Sequence, residues 1–271
     1  MLDMCWGGKA RGWVGALALV GAAAVQAAPV AAGASTEGVR LNVVSSGGFA
    51  AAFRALAARE QAQGRPVNLL WGPSMGQTHD AIPARLQRGE PIDVVIMVGG
   101  ALDRLMAQGQ LVPGSKVVLA DSRIACAVAA GAPHPDLSTV AKVREALLAA
   151  PSVAWSDSAS GEYIQGQLLD RLGIAAEVKA KGRQIPATPV GEIVARHEVA
   201  LGCQQRSELQ PVAGIDIVAD LPDEIQHVTP YAAAIAKGSA HAEQARAFIR
   251  ALAAPESAPL IAATGLQPKA R

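Results

Sequence analysis

Apolar residues occur along the chain in two alternating patterns: short unbroken runs, and longer segments in which they recur at every third or fourth position. Unbroken runs of Val, Ile, Leu and Ala are typical of strands buried on both faces, whereas the second pattern places apolar side chains on one face of a helix. Segments 41–44, 66–71 and 92–98 are predicted strands. A predicted helix follows each of them, and the first helix carries Phe49 and Phe53 on its apolar face. This order predicts a largely parallel sheet.

A second series of strands and helices follows the first. The predicted strands of this series are 124–130, 152–155, 199–203, 215–218 and 231–236. Two lobes accommodate all these elements better than one very large sheet, with chain crossings near 117–130 and again near 215–236. We therefore predict an α/β protein in which residues 40–118 and 229–271 form lobe I and residues 119–228 form lobe II.

The N-terminal residues have the layout of a secretory signal peptide. Lys9 and Arg11 precede an apolar run over residues 13–25, and small residues around Ala28 offer a cleavage site. The run is shorter than the roughly 20 apolar residues of a membrane-spanning helix, so a membrane anchor is the less favoured alternative. We predict that residues 1–28 are a cleaved signal peptide and that the mature chain is periplasmic.

Composition and charge exclude several kinds of partner. The formal net charge is +1, whereas a nucleic-acid-binding surface is strongly basic. The five histidines are isolated in the sequence, without H-x-x-x-H or a Cys/His cluster of the kind that binds zinc. The glycine motifs that hold nucleotide phosphates do not occur either. We expect no nucleic-acid partner, no metal and no cofactor.

Only two cysteines, Cys126 and Cys203, follow the predicted cleavage site. An exported protein can form a disulfide between two such residues. Each of them, however, lies in an apolar run that predicts a buried strand, where free thiols are common. The sequence favours two buried thiols over a disulfide.

Four predicted strands end in loops built from Gly, Ser, Thr and Gln, and each loop precedes a helix-like segment. The loops are 45–48, 72–78, 156–161 and 202–207. Loops at the carboxyl ends of parallel strands present backbone N–H groups and hydroxyls at helix N-termini, where anions bind. The four loops therefore predict an anion-binding protein.

One of these loops also matches an enzyme motif. Residues 72–76 are Gly-Pro-Ser-Met-Gly and fit G-x-S-x-G, the nucleophile elbow of α/β-hydrolases. A hydrolase places several strands before the elbow, whereas only two precede it here, and His227 and His241 have no obvious Asp partner. We favour a tight glycine-bounded loop in which Ser74 and Thr78 donate hydrogen bonds.

Four segments, taken with their order and spacing, resemble those of one protein family. Residues 84–94 (ARLQRGEPIDV) are similar to the family's ARQIEAGAPADVF, and residues 159–163 (ASGEY) to its PAGxY. Residues 197–202 (HEVALG) and 265–268 (GLQP) resemble its GEAPLG and GFxP. The family is that of the periplasmic molybdate-binding proteins and their type 2 solute-binding relatives, and the resemblance covers about residues 41–268.

The resemblance implies a type 2 periplasmic-binding-protein fold, with a ligand cleft between two lobes that are joined by crossing strands. It also implies a small anionic ligand and, as partner, the membrane permease of an ABC importer; we expect a monomer. The family's ligand positions fall on the four loops described above. The ligand-binding residues predicted in this way are Ser46, Gly47, Gly48, Ser74, Met75, Gly76, Thr78, Ser158, Ser160, Gly161, Tyr163, Gln204 and Gln205.

The chain departs from the family at two of these positions. The family's first loop supplies a serine in AASL, where this chain has Gly47 and Gly48, and the tyrosine of its GIVY segment is replaced by Gln205. The second loop is also longer and contains Met75 and His79. These departures favour a larger or less symmetric anion than molybdate, such as a small organic acid.

Two functions follow from the resemblance. The leading hypothesis is a periplasmic solute-binding protein that delivers an oxyanion or an organic acid to an ABC importer, without a catalytic residue. The alternative is an enzyme, because an aconitate isomerase is similar to these binding proteins and moves a proton on an unsaturated tricarboxylate. For that reaction His79 and Glu162 are the titratable candidates.

Overall fold

The computed structural model describes residues 39–269. The predicted signal peptide, residues 1–28, lies outside the described residues. Between residues 39 and 269 no helix has the length and apolar character needed to span a membrane.

The strands of this part of the chain form two sheets. In chain order they are β1 (Asn42–Ser45), β2 (Asn68–Trp71), β3 (Val94–Val98), β4 (Val117–Ser122), β5 (Ile124–Ala129), β6 (Val153–Ser156), β7 (Gly182–Ile185), β8 (Leu201–Gln205), β9 (Ile215–Asp220), β10 (Thr229–Ile235) and β11 (Gln267–Pro268). The first sheet has the order β11-β4-β10-β3-β1-β2 and the second the order β7-β6-β8-β5-β9.

Helices follow most of the strands. They are α1 (Gly47–Ala62), α2 (Ile82–Gln87), α3 (Gly99–Ala107), α4 (Val140–Ala149), α5 (Ala159–Tyr163), α6 (Leu169–Arg171), α7 (Ala175–Lys181), α8 (Val190–Ala195), α9 (Arg206–Leu209), α10 (Ala242–Leu252) and α11 (Ala258–Ala262). A π-helical segment, Ile164–Leu168, joins α5 to α6, and a 3₁₀ turn, Asp223–Ile225, lies between β9 and β10.

Both faces of the first sheet are covered by helices. Val43 of β1 belongs to the apolar cluster that contains Phe49 and Phe53 of α1, whereas its neighbour Val44 belongs to the cluster that contains Leu102 of α3. All five side chains are fully buried. Because successive strand residues face opposite sides, burial on both faces explains the unbroken apolar runs of the sequence.

Each sheet is mixed, rather than largely parallel as the sequence predicts. Strands β2, β1 and β3 are parallel to one another, as are β7, β6 and β8. Strands β10 and β4 pair antiparallel in the first sheet, and β5 pairs antiparallel with β8 and β9 in the second. Strands β5 and β10, which run opposite to their neighbours, each follow a point at which the chain passes from one sheet to the other without an intervening α-helix.

The predicted fold class, α/β with two lobes joined by crossing strands, is confirmed. Only Arg123 separates β4 in the first sheet from β5 in the second, and the chain returns to the first sheet between β9 and β10. The lobe limits, at residues 118/119 and 228/229, stay a prediction. The carboxyl ends of β1, β2 and β6 lead into three of the polar segments that the sequence singled out. The loop predicted at 202–207 was wrong, because β8 extends to Gln205 and α9 begins directly at Arg206.

Cys126 and Cys203 form a disulfide, so the interpretation as two buried thiols was wrong. Cys126 on β5 and Cys203 on β8 are directly opposite each other in an antiparallel pair. The bond therefore joins neighbouring strands of the second sheet, at the level just before the polar end of β8. Burial alone does not distinguish the two states, because both half-cystines lie in the apolar core.

Candidate functional site

The amino end of helix α1 forms one wall of the candidate site. Ser46 precedes the helix with extended backbone, and only 3% of its surface is exposed. Its N–H donates to the Ile96 carbonyl at 3.0 Å, but its hydroxyl has no hydrogen-bond partner among the described residues. A buried polar group without a partner costs about 1–3 kcal/mol. This hydroxyl and the N–H groups of Gly47 and Gly48 are donors that an anion at the helix end would use.

The first two residues of α1 are glycines, and their lack of a side chain lets two distant polar groups approach. A Cβ atom at Gly47 would lie 2.6 Å from Oε1 of Glu208 on α9. A Cβ atom at Gly48 would overlap the hydroxyl of Tyr231 on β10. Any other residue at either position would have to displace these groups. The glycine pair therefore brings a carboxyl group and a phenol to the amino end of α1.

Glu208 is oriented by one hydrogen bond, whose donor is itself fixed by another. It accepts a hydrogen bond from Nε2 of Gln204 at 3.0 Å, and Oε1 of Gln204 accepts one from the Val190 N–H at 2.8 Å, which fixes the orientation of the amide. Burial raises the pKa of Glu208 to about 7; the Gln204 hydrogen bond opposes this rise, and the charge of Asp157 adds to it. A carboxyl group with such a pKa can accept and return a proton near neutral pH.

Tyr231 supplies a hydrogen-bond donor beside this carboxyl group. Its side chain is 3% exposed and packs against Phe49, with the ring centroids 6.3 Å apart. Burial, and then the charge of Glu208, hold the pKa of Tyr231 well above its usual value. The phenol therefore stays protonated at physiological pH.

Gln205, the last residue of β8, is completely buried. Its Nε2 donates to Oγ1 of Thr229 at 2.8 Å, whereas its Oε1 has no partner among the described residues. The amide donor expected to face an anion is thus already engaged. The remaining group, Oε1, is a hydrogen-bond acceptor, so it suits a water molecule or a protonated ligand oxygen better than an ionised ligand oxygen.

Ser156, the last residue of β6, and the two serines that follow it are hydrogen-bonded. Oγ of Ser156 lies 2.8 Å from Oγ of Ser158 and 3.1 Å from Oγ of Ser160. Gly161 is required by close packing, since a Cβ atom there would overlap the carbonyl oxygen of Ser156. The first turn of α5 therefore lies tightly against the end of β6.

The second loop places its residues in different environments. Ser74 is buried, and its hydroxyl accepts a hydrogen bond from the Val98 N–H at 3.2 Å. Gly76, Thr78 and His79 are exposed. The loop runs without a helix until α2 begins at Ile82, so Ser74 does not occupy the sharp strand-to-helix turn of a nucleophile elbow.

A cavity of about 200 Å³ lies between elements of the two sheets. Its lining residues are Met75, Val98, Gly100, Ala101, Arg104, Ala159, Glu162, Tyr163, Gln167 and His227. The Tyr163 hydroxyl donates to the Ile225 carbonyl at 2.8 Å, and the Tyr163 ring stacks on His227 with the centroids 4.8 Å apart. A second cavity, of about 180 Å³, is lined by Ser74, Met75, Gly76, Gln77, Pro83, Ala101, Arg104, Leu105 and Gln108.

The structure places the predicted site residues in separate groups rather than around one cavity. Gly47 and Gln204 lie next to Glu208, and Gly48 lies next to Tyr231. Met75, Glu162 and Tyr163 share the larger cavity. Thr78 and His79 line neither cavity. In residues 39–269 no group of three or more His, Cys, Asp or Glu side chains is placed to hold a metal ion.

Sequence reasoning missed Glu208, Tyr231, Arg104 and His227. Glu208 lies in α9, four residues after Gln204 of β8, so a carboxylate soon after a polar strand end was an available signal. Tyr231 begins a predicted strand and is one of only two tyrosines in the chain. Nothing in the local sequence links either residue to the glycines of α1.

Comparison with known proteins gives a family match over most of the chain. Residues 41–267 match the family described as bacterial extracellular solute-binding protein. An aconitate isomerase from a Pseudomonas species is 46% identical over 256 residues, which cover 94% of this chain and 95% of that protein.

Two solved structures show the same fold at low sequence identity. The periplasmic molybdate-binding protein of Azotobacter vinelandii superposes with a TM-score of 0.67 at 22% identity, over 84% of this chain and 98% of that one. The substrate-binding domain assigned to a molybdenum ABC transporter of Clostridium difficile gives a TM-score of 0.66 at 16% identity, over 85% of this chain and 99% of that one. The resemblance to this fold family that the sequence indicates is confirmed.

Proposed function

The chain belongs to the bacterial extracellular solute-binding protein family, and from that premise we propose that it is a periplasmic isomerase that interconverts cis- and trans-aconitate in the cleft of a solute-binding fold. The observation that carries the proposal is the carboxyl group of Glu208, which has a pKa of about 7 and lies against Gly47 at the amino end of α1. A carboxyl group that titrates near neutral pH beside an anion-binding helix end is suited to proton transfer. The extensive identity to an aconitate isomerase supports the same reaction.

The reaction is a proton shift across three carbon atoms. A base removes one proton from the methylene carbon of aconitate and leaves an allylic anion whose charge spreads onto the carboxylates. Return of a proton to the other end of the allyl unit moves the double bond, and the geometry of the new double bond decides which isomer results. One C–H bond breaks and one forms, so neither an oxidant nor a reductant is needed.

The residues around Glu208 fit this chemistry. Glu208, about half ionised near neutral pH, takes the methylene proton and returns it. The charge that develops on the substrate is stabilised by the N–H groups at the start of α1 and by the protonated Tyr231 hydroxyl. Gln204 keeps the carboxyl group oriented through its hydrogen bond. Glu208 thus replaces the bases nominated from sequence, His79 and Glu162.

Proton NMR of the purified mature chain in D₂O tests the proposal. Incubation with cis-aconitate should yield trans-aconitate, with deuterium incorporated from the solvent when Glu208 exchanges its proton between the two steps. Glu208→Gln should lower the rate by at least about 100-fold. Glu177→Gln, a change of an exposed glutamate on α7, serves as the control and should leave the rate unchanged.

Two outcomes would contradict the proposal. Absence of interconversion by the wild-type chain would refute isomerase activity. A fully active Glu208→Gln variant together with an inactive Glu162→Gln variant would transfer the role of base to Glu162, in the larger cavity.

A second candidate function is ligand delivery to the membrane permease of an ABC importer. It is favoured by the family match and by the unpartnered, buried hydroxyl of Ser46 at the start of α1. A thermal-shift panel of molybdate, tungstate and small carboxylates separates the isomerase from the delivery of an oxyanion, because only a bound ligand raises the apparent stability. We expect tricarboxylates to raise the melting temperature and molybdate to leave it unchanged; the reverse result would favour oxyanion delivery.

A further inference from the structure

Arg104 is a positively charged side chain that lies between two cavities. It is on α3, which begins at the carboxyl end of β3, and it lines both the 200 Å³ and the 180 Å³ cavity. Among the hydrogen bonds and ion pairs of residues 39–269, none involves its guanidinium group. Its helical neighbour Asp103 pairs instead with Lys116, at 2.6 Å. Arg104 therefore offers its charge and its donors to whatever enters these cavities.

The opposite wall of the larger cavity is well fixed. Tyr163 is anchored by its hydrogen bond to the Ile225 carbonyl and by its stacking on His227. Glu162 also lines this wall but does not approach Arg104 within ion-pair distance. The cavity thus has one cationic side chain on the α3 wall, and its facing wall holds the carboxylate of Glu162 and the imidazole of His227.

The cavities adjoin two of the polar loops, 72–78 and 156–161, and the second of these carries Asp157, whose charge acts on Glu208. Ser74 lines the smaller cavity, and its hydroxyl is fixed by the Val98 N–H. Ala159, which lines the larger cavity, is the residue between Ser158 and Ser160. Met75 lines both cavities. A ligand in the cleft can therefore extend from these loops towards Arg104.

We propose that Arg104 and the two cavities beside it form a carboxylate subsite, which binds one of the three carboxylates of the substrate and makes the cleft selective for tricarboxylates over dicarboxylates. For the class of ligand, this inference rests on the proposed function. A guanidinium fork matches the two oxygens of a carboxylate, and the pairing is stronger than a hydrogen bond between neutral groups. The remaining carboxylates are left for the N–H groups and hydroxyls at the helix ends.

Calorimetric titration with four ligands tests the subsite. The ligands are trans-aconitate and three dicarboxylates, itaconate, glutaconate and mesaconate, each of which lacks a different one of the carboxylates of aconitate. Arg104→Gln should weaken trans-aconitate binding by about tenfold or more, because a charged hydrogen bond is lost. It should leave unchanged the affinity for the one dicarboxylate that lacks the carboxylate bound by Arg104.

Two further variants sharpen the result. Arg104→Lys keeps the charge without the fork and should recover part of the lost affinity. Arg250→Gln removes an exposed arginine from α10, which lines neither cavity, and should bind all four ligands as the wild type does.

Equal weakening of all four ligands by Arg104→Gln would overturn the inference, because it would show a general loss of charge or of lobe closure. Unchanged affinity for trans-aconitate would overturn it as well. In both cases the protein could still be an active isomerase in the NMR assay, so failure of the subsite is distinguishable from failure of the proposed function. If the wild-type chain bound no tricarboxylate, the proposed function and the subsite would fall together.

Discussion

The raised pKa of Glu208 predicts how the stability of the folded protein depends on pH. Between the ordinary pKa of 4.5 and the folded value of about 7, the folded state holds a proton that the unfolded state has released. Where the folded state binds more protons, the free energy of unfolding falls as the pH rises. Below about pH 4.5 Glu208 therefore does not lower the free energy of unfolding, and above its folded pKa it lowers this free energy by the full amount. Glu208→Gln removes a group that titrates and leaves a neutral amide of the same size.

The size of the effect follows from the shift. A rise of about 2.5 pKa units corresponds to about 3 kcal/mol at 1.36 kcal/mol per unit. Because Glu208 retains some exposure to solvent, we expect about 2–3 kcal/mol. The wild-type chain should lose this amount of stability between about pH 4.5 and pH 8, relative to Glu208→Gln, since other titrating groups contribute equally to both proteins.

Urea unfolding followed by circular dichroism, at about pH 4.5 and about pH 8, measures this difference. The quantity compared is the change in unfolding free energy between the two pH values, so any constant effect of the substitution cancels. Glu177→Gln, the exposed control, should show the same pH dependence as the wild type. A wild type and a Glu208→Gln variant with parallel pH dependences would refute a raised pKa for this carboxyl group, and with it the proposed proton transfer near neutral pH.

Three further predictions concern the surroundings of this group. Gly47→Ala should reduce the rate of isomerisation by at least about tenfold without loss of fold, because the new Cβ displaces the carboxyl group packed against it. The control Gly166→Ala, which adds a Cβ where there is open space, should be active. Equal activity of the two variants would contradict this prediction. Tyr231→Phe should lower the rate by about 100-fold if the phenol stabilises the anionic intermediate, with substrate affinity measured by calorimetry much less affected; an unchanged rate would exclude that role. Replacing Cys126 and Cys203 by Ser should reduce the free energy of unfolding, measured by urea titration, by about 2–5 kcal/mol, since the disulfide closes a loop between residues 77 positions apart. A loss below about 1 kcal/mol would show that strand pairing alone stabilises this part of the second sheet.

Strands with apolar side chains on both faces were predictable from sequence to within a few residues. The predicted segment 124–130, for example, corresponds to β5 at Ile124–Ala129. Strand β7 was missed because Gly182, Arg183 and Gln184 have no apolar pattern, which reflects its position at the edge of the second sheet. A local pattern reports which faces of an element are buried, so it fails for an edge strand that is held mainly by its backbone hydrogen bonds.

The pairing of the two cysteines shows the same limit. Each apolar run predicts burial correctly, but the register that places Cys126 opposite Cys203 arises only when β5 and β8 become antiparallel neighbours. That neighbourhood depends on the chain crossing between sheets and not on the residues around either cysteine. Sequence reasoning therefore left the choice open and favoured the wrong state.

By itself the sequence determined the alternation of strands and helices, the polar residues at the ends of four strands, the family resemblance, and the unusual glycine pair at residues 47 and 48. Only the tertiary structure decided what that pair is for, because Glu208 and Tyr231 reach it from distant parts of the chain. The pKa of about 7 is likewise a property of the folded molecule, since a carboxyl group is desolvated only when other elements pack around it. Spacing along a chain encodes periodicity and local conformation, whereas proximity and burial across the chain depend on strand order and on the packing of the lobes.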